Sequence, residues 1–169
     1  MCDDSVRLKK KLIIKGKSEY ISTKETKDLI NFIGKELLGS KWRYVKIRLT
    51  YSNKLSSFGF VNWLDKNIDP RNFEIYINPK KQKKVGQIKT IIHELCHVKQ
   101  MALGYLYDFP DDKDCGKYVM WYTKKVRYYK DIKRYRNLPW EKEARKCESI
   151  YYKKYKQHLS NVKILQTLP

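Results

Sequence analysis

The chain has 169 residues, of which 41% are hydrophobic and 14% aromatic, so it can bury one core but is too short for two domains of ordinary size. Lys and Arg number 38 against 18 Asp and Glu, which gives a formal net charge of +20 at pH 7. This composition excludes wholesale disorder, and the charge favours phosphates, acidic proteins or anionic surfaces as partners. We therefore expect a single domain over residues 1–169.

Neither a membrane span nor a secretory signal is expected. The sequence contains no run of about 18 apolar residues, and charges flank the short apolar patch Leu12–Ile14 near the N-terminus. The four cysteines lie far apart and form no CxxC pair, which argues against a zinc ribbon and gives little support for disulfides. These features predict a cytoplasmic protein in a reducing compartment, without a membrane partner.

The first predicted element is a helix between Ser22 and Gly39. Ser22 and Glu25 have the spacing of a capping box, and Gly39 is a typical helix stop. Residues 1–20, ahead of this helix, are expected to form either a flexible segment or an edge strand. The apolar residues that recur at helical spacing are Leu29, Ile30, Phe32, Ile33, Leu37 and Leu38.

Alternation of apolar and polar residues then replaces the helical period, which indicates β-strands. Turn-forming residues separate the alternating segments. We expect a small three-stranded sheet, mostly antiparallel or mixed, and therefore an α+β fold. The predicted strands are 45–51, 58–64 and 73–77.

A second helix is predicted over about residues 83–103. Its middle is apolar on nearly every side, so this helix should be buried in the core. Farther along, residues 118–129 could pair as a hairpin rich in Tyr and Trp. A last helix over about residues 139–158 begins with a proline, which suits the first helical position, and residues 159–169 are expected to form a tail.

The buried helix contains an HExxH motif formed by His93, Glu94 and His97. Four residues advance a helix by about 400°, so the two imidazoles project from nearly one face, about 6 Å apart along the axis, and can bind one metal ion together. Glu94 lies about 100° around the helix, where it can act as a general base on water without being a ligand. Burying these groups without a partner would be costly, which favours a zinc site over two solvent-facing histidines and an ion-paired glutamate.

A catalytic zinc site needs a third protein ligand, and Glu141 is the first choice. Glu141 and Glu143 open the last predicted helix but point about 200° apart, so at most one of them can face the metal. Ala144, one turn after Glu141, is small enough to let that face approach the HExxH helix. We therefore prefer Glu141 and retain Glu143 as the alternative, although both could simply complement the positive end of the helix dipole.

Other residues are weaker candidates for the third ligand. Gln100 and Leu103 occupy the positions where metzincins carry a glycine and a third histidine, so that class is excluded. His158 is the remaining histidine, but it lies in a polar and basic context. Four aspartates form a segment that is better explained as a solvated loop: Asp108, Asp111, Asp112 and Asp114.

A second pattern, Tyr-x-x-x-Pro-Trp-Glu-x-Glu-Ala, runs from Tyr135 to Ala144. Together with HExxH it resembles the small SprT-like and minigluzincin-type zinc metallopeptidases, notably the forms in tailed phages and large DNA viruses, over roughly residues 41–152. The resemblance implies a zincin-like core, with a sheet whose edge strand pairs with an extended peptide and a second helix that brings Glu to the HExxH helix. The chain departs from SprT proteins proper, which have a third histidine soon after HExxH and often a C-terminal zinc ribbon. The resemblance and the lysine-rich composition favour a virus, a phage or an AT-rich microbe as the source, so the expected cytoplasm could be that of an infected host cell.

Peptide hydrolysis also needs a group that stabilises the oxyanion, and Tyr135 matches the resembled pattern at that place. With 14 tyrosines in the chain, simple packing is the alternative role for this side chain. The predicted function is zinc-dependent hydrolysis of a peptide or protein substrate, with Glu94 as general base and acid. The predicted ligands of the single zinc ion are His93, His97 and Glu141.

A competing hypothesis is a non-enzymatic module that uses zinc structurally and binds nucleic acid or acidic proteins. Residues 124–156 contain 13 basic and 4 acidic side chains interleaved with tyrosines, a composition that suits phosphate backbones and base stacking. An ordinary solvated face in a lysine-biased sequence would have the same composition. A third hypothesis is a peptidase that uses its charge to reach DNA-bound proteins.

Overall fold

The computed structural model describes residues 11–65, 70–108, 117–129 and 131–167. Within these ranges the chain forms helices and strands that build two sheets, which confirms the expected α+β class. The elements in chain order are β1 (Leu12–Lys15), α1 (Thr23–Leu38), a 3-10 turn (Gly39–Tyr44), β2 (Lys46–Tyr51), β3 (Gly59–Trp63), β4 (Asn72–Ile77), α2 (Lys84–Ala102), β5 (Leu106–Asp108), β6 (Tyr118–Trp121), β7 (Lys124–Arg127), α3 (Ile132–Arg136) and α4 (Pro139–Thr167).

The larger sheet has the strand order β1-β2-β4-β3. β2 pairs in parallel with both β1 and β4, and β3 pairs antiparallel with β4 at the edge. The sequence predicted a sheet that is either mixed or mostly antiparallel, and the mixed form is confirmed. The predicted number of three strands is wrong, because this sheet has four. β4 inserts between β2 and β3 instead of pairing in sequence order, and β1 adds an edge strand from the segment before the first helix.

One hydrophobic core joins this sheet to α1, α2 and α4. The capping box predicted for α1 is present, because Ser22 Oγ accepts a hydrogen bond from Glu25 N at 3.1 Å and Glu25 Oε2 accepts one from Ser22 N at 2.9 Å. α2 packs against β3 and β4 and also against both α1 and α4. Contact on so many sides explains why α2 is apolar nearly all round, as the sequence indicated.

The second sheet is antiparallel and follows α2 directly, in the order β5-β6-β7. Its β6–β7 pair confirms the hairpin expected over residues 118–129, with Tyr122 in the turn at a φ of 54°. Of the aspartates considered as alternative ligands, Asp108 is the last residue of β5, and Asp111, Asp112 and Asp114 lie outside the described part of the chain.

α4 continues to Thr167, so the helix is longer than predicted and includes most of the expected tail. Tyr155 is 4% exposed and packs in the core, whereas Leu159 is 40% exposed. In the sequence, apolar residues continue at helical spacing beyond Tyr155, at Leu159, Val162 and Leu165, and no glycine or proline stops the helix there. In the described residues, no helix has the length and apolar character needed to cross a membrane.

Gly34 of α1 lies directly beneath Trp42 of the 3-10 turn. A Cβ atom at this position would fall 2.6 Å from three atoms of the Trp42 ring, which is 4% exposed. Gly34→Ala is therefore expected to lower the free energy of unfolding by about 1–3 kcal/mol, even though alanine is the better helix former. Urea unfolding measures the loss. In a Trp42→Leu background the same change should cost less, and strictly additive losses would contradict the proposed clash.

Candidate metal centre

Successive turns of α2 carry the two imidazoles of the HExxH motif. The Nε2 atoms of His93 and His97 lie 3.2 Å apart, and the two rings are nearly perpendicular, at 82°. Because α2 is buried between the sheet and α4, the His97 side chain is 8% exposed and the His93 side chain 17%. The imidazoles therefore share one face of the helix, as their spacing predicts.

Glu141 reaches these imidazoles from the first turn of α4. Its Oε1 atom lies 3.1 Å from His97 Nε2, and its Oε2 atom lies 3.4 Å from His93 Nε2. One donor atom from each of the three residues lies within 4.8 Å of the others, so the group could hold a metal ion. The structure thus brings together all three side chains that were predicted as ligands.

The alternative third ligands lie elsewhere. Glu143 pairs with Lys99 at 3.2 Å and does not belong to the group. Ala144 is fully buried, which agrees with the expectation that a small residue lets α4 approach α2. His158 stacks on Phe32 with the ring centroids 4.3 Å apart, far along α4 from the three donor residues.

The surroundings of Glu141 fit a bound cation. Its side chain is 5% exposed, and Oε1 has no hydrogen-bond partner among the described residues. A buried carboxylate oxygen without a donor is costly, and a cation between Oε1 and the imidazole nitrogens would satisfy all of these atoms. Two imidazole nitrogens and one carboxylate oxygen form a donor set that suits divalent transition metals.

The charges around Glu141 and His93 shift the pKa values of these two side chains in opposite directions. Burial would raise the pKa of Glu141, but His93 and His97 hold it below its usual range. Burial would lower the pKa of His93, but the carboxylates of Glu141 and Glu148 raise it to about 10. A metal ion that binds here must therefore compete with a proton on His93.

Glu94 and Tyr135 border the same space without belonging to the group of donors. Glu94 is 6% exposed, and burial raises its pKa against the opposing effect of the two imidazoles. The Tyr135 hydroxyl, on the short helix α3, interacts with the Glu141 carboxylate, and burial and this negative charge raise its pKa above the usual range. Both predicted catalytic side chains therefore lie at the site, and their catalytic roles stay predictions.

A cleft of about 370 Å³ opens at this group of side chains. The edge strand β3 forms one wall, where Gly59 lies close against α2, and the second sheet contributes another. The lining is mainly apolar, which suits an extended chain with apolar side chains. Among the apolar lining residues are Val61, Trp63, Met101, Leu106, Val119 and Trp140.

Sequence reasoning did not identify two side chains that contact the outer nitrogens of the imidazoles. Gln100 Oε1 lies 2.8 Å from His97 Nδ1, and Glu148 Oε2 lies 3.6 Å from His93 Nδ1. Helical spacing could have indicated both, because Gln100 is one turn beyond His97 and Glu148 is two turns beyond Glu141. Cys96, which lies between the two histidines of the motif, is buried and interacts with the thiol of Cys147 on α4.

The residues themselves define the chemistry that this arrangement allows. Three donor atoms converge from two helices, they line an open cleft, and a carboxylate with a raised pKa lies beside them. Such a site can bind a metal ion and offer a proton acceptor to a molecule in the cleft.

Comparisons of the chain with protein-family models, with curated proteins and with solved structures found no match.

Proposed function

We propose that this protein is a zinc-dependent metallopeptidase with a zincin-like core. The observation that carries the proposal is the position of Glu141, which reaches both HExxH imidazoles from a separate helix. Its unpartnered Oε1 atom and the N2O donor set support a divalent metal, and two histidines with one glutamate form a set that holds catalytic zinc in proteins. The proposed zinc ligands are His93, His97 and Glu141.

In the proposed reaction, Glu94 moves protons. A bound zinc ion would leave one position open, lower the pKa of water there and polarise a carbonyl group. The Glu94 carboxylate takes a proton from a water molecule as the oxygen of that water attacks the carbonyl carbon, and it delivers the proton to the amine nitrogen as the C–N bond breaks. Its raised pKa suits this double role, because a more basic carboxylate accepts the proton more readily.

Tyr135 is proposed to stabilise the oxyanion. Its hydroxyl lines the cleft close to the Glu141 carboxylate, and its raised pKa keeps the proton on the hydroxyl at neutral pH. An O–H group at this place can donate a hydrogen bond to the carbonyl oxygen as negative charge develops there.

The proposed substrate is an extended peptide that lies along β3. This strand pairs with β4 on one side only, and several of its residues line the cleft. An extended peptide can add to such an edge through main-chain hydrogen bonds, while its side chains contact the apolar walls. Unfolded polypeptides with apolar side chains are therefore expected to be better substrates than folded proteins.

One observation favours the second candidate, a basic module that binds nucleic acid. Arg127 and Arg134 both lie over the ring of Tyr129, with their guanidinium carbons 5.8 and 5.5 Å from its centroid. Tyr129 is half-buried, and cations beside a partly exposed aromatic ring can contact phosphates while the ring stacks on bases. The two candidates are compatible, since a basic surface beside the cleft could bring the enzyme to DNA-bound proteins.

Metal replacement tests the proposed function. We expect the zinc-loaded protein to cleave a reduced, unfolded polypeptide, to lose this activity with 1,10-phenanthroline and to regain it when zinc is added back. Mass spectrometry of the products measures cleavage and locates the bonds cut. Binding to DNA that falls steeply with salt, in a zinc-loaded protein that cleaves no unfolded polypeptide, would instead favour the non-enzymatic module.

A further inference from the structure

Gln100 is a fully buried amide that connects the two helices of the metal centre. It lies on α2 and is 1% exposed. Its Oε1 atom lies 2.8 Å from His97 Nδ1, and its Nε2 atom donates to the Trp140 carbonyl oxygen at 3.0 Å and to Glu143 Oε2 at 3.2 Å. All of the hydrogen-bonding atoms of this one side chain are therefore engaged.

The partners on α4 determine which way the amide group points. The carbonyl oxygen of Trp140 and the carboxylate of Glu143 can only accept hydrogen bonds, so the NH2 group of Gln100 must face them. Its carbonyl oxygen then faces His97, and because that oxygen only accepts, Nδ1 of His97 must carry the proton. In the neutral imidazole, which is the form that binds a metal, the lone pair is then on Nε2, and this nitrogen lies 3.1 Å from Glu141 Oε1.

The same amide also fixes where α4 begins relative to α2. Trp140 immediately precedes Glu141, so a hydrogen bond to its carbonyl oxygen holds the backbone next to the third donor residue. Glu143 is held on the same side by Lys99, at 3.2 Å. The placement of Glu141 therefore depends on the hydrogen bonds that Gln100 donates to Trp140 and Glu143, its neighbours in the first turn of α4.

We propose that Gln100 is a positioning residue of the metal centre, which selects the nitrogen that His97 presents and holds Glu141 opposite it. This inference rests on the proposed metal site but not on peptide hydrolysis. Groups that orient a ligating histidine in this way typically change metal affinity by about 10- to 100-fold when they are removed.

A matched pair of substitutions on α2 tests the proposal. Gln100→Met keeps the length of the side chain but removes its hydrogen bonds. Gln87→Met makes the same change at another fully buried glutamine of α2, whose amide donates to the carbonyl oxygens of Pro79 and Gln82, both at 2.9 Å. We expect zinc affinity to fall by about 10- to 100-fold for Gln100→Met and by less than about threefold for Gln87→Met, measured by competition with a chromophoric chelator.

Cobalt spectra and a double substitution provide further readouts. Gln100→Met should alter the visible absorption of the cobalt-loaded protein, because the ligand geometry changes, whereas Gln87→Met should not. Gln100→Glu combined with Glu143→Gln exchanges the amide and the carboxylate, so position 100 keeps an acceptor for His97. This double variant should regain part of the affinity that Gln100→Met loses.

The wild-type protein allows a test that needs no variant. In zinc-loaded protein with 15N-labelled histidine, His97 should be protonated at Nδ1 and bound to the metal through Nε2. Binding through Nδ1, or unchanged zinc affinity and cobalt spectrum in Gln100→Met, would overturn the role of Gln100 while leaving the proposed peptidase intact. A wild-type protein that holds no zinc would contradict both proposals.

Discussion

Glu94→Gln is expected to leave zinc binding unchanged and to lower kcat by about 100- to 10,000-fold. The amide is nearly the same size as the carboxylate but cannot accept the proton that the proposed reaction requires. Because Glu94 is not one of the three residues that could hold the metal, its loss should not release the ion. Metal analysis of the purified variant, together with cleavage of an unfolded polypeptide, gives both quantities.

Stability provides the control for this substitution. Burial raises the pKa of Glu94, which means that the folded protein disfavours the charged form of this side chain. Replacing it by a neutral amide should therefore leave the Tm of the metal-free protein equal or higher. A variant that keeps its zinc and cleaves at the wild-type rate would remove Glu94 from the mechanism.

Glu141→Gln is expected to weaken zinc binding by at least about 100-fold. Glu141 is the only carboxylate in the group of three donors, so its replacement removes both a ligand atom and the negative charge that faces the metal. Activity measured at limiting zinc should fall with the affinity. Isothermal titration with zinc measures the affinity directly.

Glu143→Gln is the matched control, because it changes a carboxylate two positions away on the same helix. Glu143 pairs with Lys99 and with Gln100 rather than with the imidazoles, so zinc affinity should change by less than about tenfold. If instead Glu143→Gln loses zinc and Glu141→Gln keeps it, the assignment of the third ligand is wrong.

The residues of the site were more predictable than the arrangement of the sheet. Helical geometry alone places His93 and His97 on one face, and the position of Ala144 indicates which carboxylate faces them. These are local rules, and each needs only a short stretch of sequence. The contacts of Gln100 with Trp140 and Glu143 could not be foreseen in this way, because these two partners lie on α4 and depend on how the two helices pack.

Strand pairing depends on contacts between strands, and the alternation of apolar and polar residues along one strand does not indicate them. Alternation locates β2, β3 and β4 within a residue or two, but it gives no partner and no direction. The parallel pairing of β4 with β2 leaves β3 outside it, as the edge strand beside the metal centre. α4 likewise extends beyond the end predicted near residue 158, because no glycine or proline stops it before Pro169.

The depth of the proposed peptide groove depends on Gly59, because this residue has no Cβ atom. A Cβ atom at Gly59 would fall 2.7 Å from Thr90 Cγ2 on α2 and 2.9 Å from the carbonyl oxygen of Tyr76 on β4. Any larger residue would therefore push the rim of the sheet outwards, away from the helix that carries both histidines. The absence of a side chain at Gly59 thus determines how closely the main chain of a bound peptide could approach the proposed metal site.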